Sequence, residues 1–428
     1  MRLNWFSPLP PERSDIAHYT ARLAPSLMRY FETVFWTTHE GVDSLPRDAK
    51  IKIYDPARLG EHKFYCKLRG GLNIYNFGND ARFHENIYRI AQRVPGIAIL
   101  HDTRLHHFLF EFNRPDWTRY VKLATELYGA NGERLARAIV ASNGTLIDAH
   151  VEEMPFVEPF LANAIGAICH SKSACADVKR RSVIPTLQLS LPFVSLARSP
   201  RAKRVWSSPF RLIMFGYLGS NRRLEDILAA LKEVCGEVDC HFDLYGILQN
   251  EAKIENLIDA LGLRSRVTMH GFVPEQALDD AIASAHLTFN LRHPTMGEAS
   301  GGVLRSWVHA TPALVTNAGW YAGLPDRIVK KISIENERAD LGQALKDIAS
   351  NPASYQRLGI EAASFVRDNH HPDRYAEELS NALVDVPELS ARFAARQVLQ
   401  GIVRYARSAD ERAVLLERAV PQIASLFG

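Results

Sequence analysis

The sequence predicts an α/β protein of two domains, on three observations. Short apolar runs alternate with amphipathic stretches almost from end to end, the pattern of buried parallel strands joined by helices. A chain of 428 residues with 46% hydrophobic content is too long for one core and long enough for two. And the alternating pattern breaks off once, between Val183 and Phe210, then starts again.

In the first series, Glu32–Trp36, Gly71–Asn76, Ile97–Leu100 and Ala164–Cys169 read as strands, each followed by polar or helix-starting residues. The break carries Pro185, Pro192, Pro200 and Pro209, with Arg198, Arg201, Lys203 and Arg204 clustered beside Trp206. This is linker composition, read either as a solvated connector or as a contact for anionic headgroups or an acidic acceptor. The second series runs through Phe210–Phe215, His241–Tyr245, Arg266–His270, Leu287–Leu291 and Ala313–Thr316. Pro387 closes it, and Glu388 to Gly428 places Leu389, Phe393, Val398 and Ile402, then Val414, Leu415, Ala419, Ile423 and Phe427, at helical spacing. That tail reads as one or two packing helices or, on the alternative, a helix on a membrane surface. The expected domains are 1–195, a linker 196–209, a second domain 210–385 and a helical tail 386–428.

Composition removes several function classes. A net charge of +3 from 51 basic and 48 acidic side chains demands no polyanion, so no nucleic-acid partner is expected. Five cysteines without a CxxC pair argue against a disulfide framework or zinc knuckle and fit a reducing, cytoplasmic setting. No run of about 18 uncharged apolar residues occurs, so any membrane contact would be peripheral.

The most informative stretch runs from Pro294 to Thr316. A strand ends near Leu291, a small Gly-rich turn follows, and Gly302 to Ala310 has helical character. Free N–H groups and the positive dipole end at such a helix start suit a diphosphate. Gly301 and Gly302 let backbone approach a ligand closely. Glu298 at the lip suits sugar hydroxyls, since phosphate would repel it. A second strand–turn–helix lies at Phe215–Leu231, where Gly216 and Tyr217 precede Arg222 and Arg223; Arg222 is the candidate phosphate cation, Arg223 its neighbour. His101 and Asp102 follow a buried strand, where ligands of open α/β sheets bind. The spacing of His101, His106 and His107 lacks HExxH or cysteine partners, and no metal site is expected.

The stretch GEASGGVLRSWVHATPALVT resembles the signature of retaining family 4 (group 1) glycosyltransferases of the GT-B fold: a Glu, seven residues, a second Glu, then a GxPV-type strand entry. Glu298 matches the first Glu; Ser306 stands at the second, the one that usually holds the nucleotide ribose. The resemblance implies two Rossmann-like domains facing each other across a cleft, with the donor bound by Gly216, Tyr217, Arg222, Arg223, Gly246, Phe272, Val273, Glu298, Ala299, Ser300, Gly301, Gly302 and Ser306. Tyr217 occupies the place of a family Arg, and Arg222 that of a family Lys. Phe6–Tyr19, with Asp15 where the relatives usually have Gly, together with Tyr75–Asn79 and Pro95–Phe108, matches a bacterial subset that serves surface-polysaccharide assembly. It implies His101 facing the transferred sugar, with Asp15, Asn79 and Asp102 on the acceptor side. No DxD tripeptide occurs, which favours GT-B and metal-independent transfer.

The resulting expectation is transfer of a hexose-type sugar from a nucleotide-diphosphate sugar to a saccharide or lipid-linked saccharide, with no resident cofactor. Two alternatives compete. One is a catalytically silent relative that scaffolds polysaccharide assembly, kept open by Ser306, Tyr217 and Asp15. The other is a dehydrogenase, opposed by the absence of an early GxGxxG.

Overall fold

The computed structural model describes residues 1–42, 44–68, 70–195, 204–406 and 408–424. Two wholly parallel sheets organise the chain. The first contains β1 (Arg2–Phe6), β2 (Glu32–Thr37), β3 (Lys50–Ile53), β4 (Leu72–Phe77), β5 (Gly96–Leu100), β6 (Ala164–Cys169) and β7 (Thr186–Gln188), ordered β3-β2-β1-β4-β5-β6-β7. The second contains β8 (Phe210–Leu218), β9 (Cys240–Leu248), β10 (Val267–Gly271), β11 (Leu287–Asn290), β12 (Ala313–Thr316) and β13 (Lys330–Ile332), ordered β10-β9-β8-β11-β12-β13.

Both faces of each sheet are covered, which is why the strands read as continuous apolar runs. The two-residue alternation sorts them: Ile74, Ile97 and Ile99 pack on one side with Leu3, Trp5 and Phe35, while Tyr75, Phe77, Ala98 and Leu100 pack on the other with Phe6 and Trp36. In the second sheet Leu212 and Met214 enter the larger core, and Ile213 and Phe215 face a smaller cluster with Ile282. Because all strands are parallel, their C-terminal ends line one edge of each sheet, the edge at which open α/β sheets bind ligands.

The last helices do not stay with the second sheet. Helix Pro372–Ala382 lies against helix Asp15–Tyr30: Tyr19 Oη donates to Tyr375 Oη at 3.0 Å, and Ser26 Oγ donates to Asp373. Helix Val386–Tyr405 follows onto β6, where Arg396 donates to the Ala164 carbonyl at 2.6 Å. Helix Ala409–Ala424 completes the tail. No helix among the described residues is long and apolar enough to cross a membrane.

Two expectations for the linker and tail are revised. Arg204 is no solvated connector: it donates to the carbonyls of Ala310, Ala283 and His309, satisfying chain ends that a helix leaves open, and stacks over Trp206 at 5.3 Å. Arg198, Arg201, Lys203 and Phe427 lie outside the described residues. In the tail, Val414, Leu415 and Val420 are exposed rather than packed.

Candidate active site

The wall from the second sheet is built on β8, β9 and the turn after β11. β8 runs further than its apolar pattern suggests, so Gly216 and Tyr217 lie within the strand, and Gly216 pairs with Gly246 of β9. Both glycines have positive φ, 106° and 112°, and a Cβ on Gly246 would overlap the Gly216 carbonyl. This glycine pair lets two backbones close up before the chain turns into the 3-10 segment Ser220–Arg222 and then helix Leu224–Val234.

That turn buries Arg222. Its side chain belongs to a residue only 4% exposed; its Nε has no partner, and its one hydrogen bond is a long one of 3.4 Å to the Phe215 carbonyl. Among the described residues no carboxylate pairs with it. Burial, and then the nearby Arg292 charge, pull this guanidinium down to about 9. Arg223 is placed otherwise: it adopts left-handed backbone (φ 58°) and is held by Glu337 at 3.0 Å and Asp226 at 2.8 Å. Tyr217 is 62% exposed.

Helix Gly301–Val308 opens beside this turn. Ser300 caps it, its Oγ accepting from Val303 N at 3.2 Å and donating to Asn290 Oδ1 at 3.2 Å. A Cβ on Gly301 would meet nothing, so the helix start faces open space, whereas one on Gly302 would press on Asn290. Glu298 is buried at the lip: it accepts from Met296 N at 2.7 Å, pairs with Arg292 at 3.0 Å and meets Tyr321 Oη at 3.4 Å. Ser306 is fully buried and donates back to the Gly302 carbonyl at 3.0 Å, a hydroxyl already satisfied inside its own helix. Ala299 is half-buried. Further along, Val273 packs on the small cluster and Phe272 is 62% exposed, with Arg13 of the first domain over its ring at 4.9 Å.

The facing wall comes from the ends of β4 and β5. His101 is buried, and its Nε2 donates to Asn76 Oδ1 at 3.1 Å; Asn76 is itself fixed because its Nδ2 donates to the Phe6 carbonyl at 3.0 Å. That pairing places the ring proton on Nε2 and leaves Nδ1 as the acceptor. Tyr19 packs edge-on to the ring at 4.6 Å and His170 at 4.8 Å. Burial, with His170 and His84 adding to it, holds His101 well below its ordinary value, so the imidazole is neutral. Asp102 accepts from Asn79 N at 2.9 Å; burial and then the Glu298 charge raise it to about 7. Asn79 accepts from Phe108 N and contacts His107, which pairs with Asp148 at 3.2 Å. His106 is buried against Tyr120 at 2.6 Å. Among the described residues no three metal-ligating side chains converge. Asp15 is exposed at the start of its helix, near enough for its charge to raise Arg222 and Arg292.

The two walls meet. Thr103 N and Arg104 N both donate to the Met296 carbonyl at 2.9 Å, Ser220 Oγ donates to Asp148 at 3.0 Å, and a Cβ on Gly297 (φ 79°) would overlap Thr103. Arg292, whose only signal in the sequence is a cation two residues beyond a buried strand, pairs with Glu298, the residue next to Gly297 in this contact.

The family model for group 1 glycosyl transferases matches residues 199–365. It covers the second sheet and the turns that carry Arg222 and Glu298. Among solved structures, the chain is similar to Anabaena HepE in complex with UDP-glucose (12% identity, 90% of this chain and 100% of that one, TM-score 0.62). It is likewise similar to sucrose-phosphate synthase of Thermosynechococcus elongatus (13%, 90% and 99%, TM-score 0.61) and to WaaG, a glycosyltransferase involved in lipopolysaccharide biosynthesis (13%, 89% and 99%, TM-score 0.58). The fold is GT-B: two parallel sheets with flanking helices and extra helices at the C-terminus. No curated protein matches the sequence at a significant level.

Proposed function

We propose that this protein is a glycosyltransferase that moves a hexose-type sugar from a nucleotide-diphosphate sugar to a saccharide or lipid-linked saccharide in polysaccharide biosynthesis, with retention and without a metal or resident cofactor. One observation carries the reading: Arg222 is a buried cation with no carboxylate partner among the described residues, beside a helix start that faces open space. An uncompensated buried charge is costly, so the arrangement fits a site completed by an anionic ligand. The family match over the same residues, and the UDP-glucose bound by the similar HepE, support a donor of this kind.

On this reading the diphosphate lies against Arg222 and the N–H groups of Gly301 and Gly302, which neutralise it as it leaves. Glu298, already engaged by Arg292, turns its remaining acceptor capacity to sugar hydroxyls. The neutral His101 offers an uncharged acceptor at Nδ1 to the transferred sugar, with Asp102 and Asn79 on the acceptor side. The leaving phosphate takes the proton of the attacking hydroxyl, so no carboxylate nucleophile is needed. Phe272, Val273 and Gly246 lie toward the base. The protein would act in the cytoplasm, with membrane contact, if any, peripheral.

A panel of UDP-, GDP- and ADP-sugars, assayed for hydrolysis and for transfer to saccharide acceptors, tests the proposal. Turnover of one donor is the expected result. Binding without turnover would instead assign a silent scaffold, a reading that the self-satisfied Ser306 favours. No binding at all would remove the donor site.

A further inference from the structure

The phosphate turn supplies fewer cations than a diphosphate calls for. Arg223 is committed to Glu337 and Asp226, and Tyr217 carries no charge, so Arg222 stands alone on its own loop. Arg292 approaches the same place from the turn after β11, the strand beside β8. Its Nη1 is 3.0 Å from Glu298, its Nε is buried without a partner, and among the described residues Glu298 is its one ion-pair partner. The planar guanidinium therefore keeps most of its donors unused. Its closeness to Arg222 is felt in the depression of that residue, to which the Arg292 charge is the second contributor. Burial pulls Arg292 itself down, but Tyr321, Glu298, Asp102 and Asp15 outweigh that and hold it above its ordinary value.

Two guanidinium groups thus lie close together, Arg222 buried and Arg292 23% exposed, with one carboxylate, Glu298, bonded to Arg292. Asp102, raised to about 7, supplies only part of a negative charge there at neutral pH, and Asp15 stays at the exposed rim. The two cations thus outweigh the carboxylates beside them, and an anionic diphosphate offsets the excess.

Resting on the donor-site reading above, we infer that Arg292 is a second phosphate-binding residue, paired with Glu298 in the empty protein and shared between Glu298 and the donor diphosphate when the site is filled. Glu298 then does two things: it faces sugar hydroxyls, and it restrains the affinity of the site for a bare diphosphate. Donor sugar and leaving nucleotide are thereby distinguished. With the sugar present, its hydroxyls share the Glu298 carboxylate; once it has gone, the carboxylate opposes the phosphate through Arg292 and favours release.

The test is a calorimetric titration of UDP, GDP and ADP, each against its parent nucleoside, into wild type, Glu298→Gln and the double variant Arg292→Gln/Glu298→Gln. The double variant replaces an ion pair by two neutral side chains of similar shape and so avoids leaving a buried carboxylate unpaired. Thermal melts check that each protein is folded, and Arg292→Lys, which keeps the charge, serves as the control should the double variant fail to fold. Glu298→Gln should bind the nucleoside diphosphate several-fold more tightly than wild type. The double variant should bind it about tenfold or more weaker than Glu298→Gln, with nucleoside affinity unchanged. In the control, Arg292→Lys should keep part of the diphosphate affinity and lose selectivity for diphosphate over nucleoside only modestly, because one point charge replaces a fork. A double variant that binds diphosphate as tightly as Glu298→Gln overturns the role of Arg292 and leaves the donor site standing; so does an Arg292→Lys protein indistinguishable from wild type while Glu298→Gln fails to tighten. Wild type that binds none of the three diphosphates overturns the donor site itself.

Discussion

The two walls of the cleft are finished differently. On the first-domain wall the groups around His101 and Asp102 answer one another: His101 to Asn76, Asn76 to Phe6, Asp102 to Asn79, Asn79 to Phe108, His107 to Asp148, with His170 Nε2 and Arg104 Nε left over. On the second-domain wall the donors are left over, in the Nε of Arg222, the Nε of Arg292 and the open start of helix Gly301–Val308. A network closed on itself fixes side-chain positions before any ligand arrives, whereas unanswered buried donors carry a cost that a ligand can relieve. On the proposed function, one wall is therefore a template and the other a receptor.

The sharpest way to break this contrast is to deform the receptor wall. Gly246→Ala forces a Cβ into the Gly216 carbonyl at a φ of 112°, and should cost about 3 kcal/mol of stability from overlap and backbone strain together. Denaturant unfolding would show it, and unchanged stability would mean that the two strands do not approach as described. Next in size, Arg222→Ala should weaken nucleoside diphosphate binding by about 1.5–3 kcal/mol while leaving free nucleoside nearly untouched, because the lost contact is to phosphate. Equal loss for both ligands in calorimetry would refute the placement.

Changes on the template wall should act on turnover and pH response instead. His101→Ala is expected to cut kcat by roughly tenfold to a hundredfold, equivalent to about 1.4–2.7 kcal/mol, with nucleotide affinity kept. Full activity would remove His101 from the site. A further change concerns Asp102, whose carboxyl burial and then the Glu298 charge raise while the Asn79 amide, Arg292 and His107 lower it. Its folded value lies above the unfolded one, so its contribution is fully present below about pH 4 and is lost as pH rises through about 7. Asp102→Asn removes that loss. Its melting temperature should gain on wild type between pH 4 and 8, by a free energy of up to about 4 kcal/mol. A constant difference across that range would place Asp102 in ordinary solvent.

Much of the architecture could be read in advance because buried parallel strands announce themselves. Ala164–Cys169 and Ala313–Thr316 were read to the residue, each uninterrupted by charge. The strands passed over are those whose burial comes from elsewhere: β1 carries Asn4, held by the Leu68 carbonyl and Asn73, while β3, β7 and β13 are edge strands of three or four residues. In the site, the strand–turn–helix around Arg222 was legible, but not that Arg223 is tied to Glu337 more than a hundred positions on. Sequence spacing shows a cation; only the fold shows whether it is already answered. Arg292 was missed for the same reason, and Arg204 was misread because its acceptors belong to a helix end a hundred residues away.

The return of the chain at its C-terminal end has a topological consequence. The polypeptide leaves the first domain after Leu189 and returns to it before helix Pro372–Ala382, and the two stretches run side by side: Phe193 N donates to the His370 carbonyl and His370 Nδ1 donates to the Leu191 carbonyl, both at 2.7 Å. A single cut in the first passage therefore does not release two halves. The fragments stay tethered through the second passage and through Tyr19, Ser26 and Ala164, which the returning helices hold. The two domains are thus stitched together twice, so a molecule nicked in the first stretch is expected to stay associated.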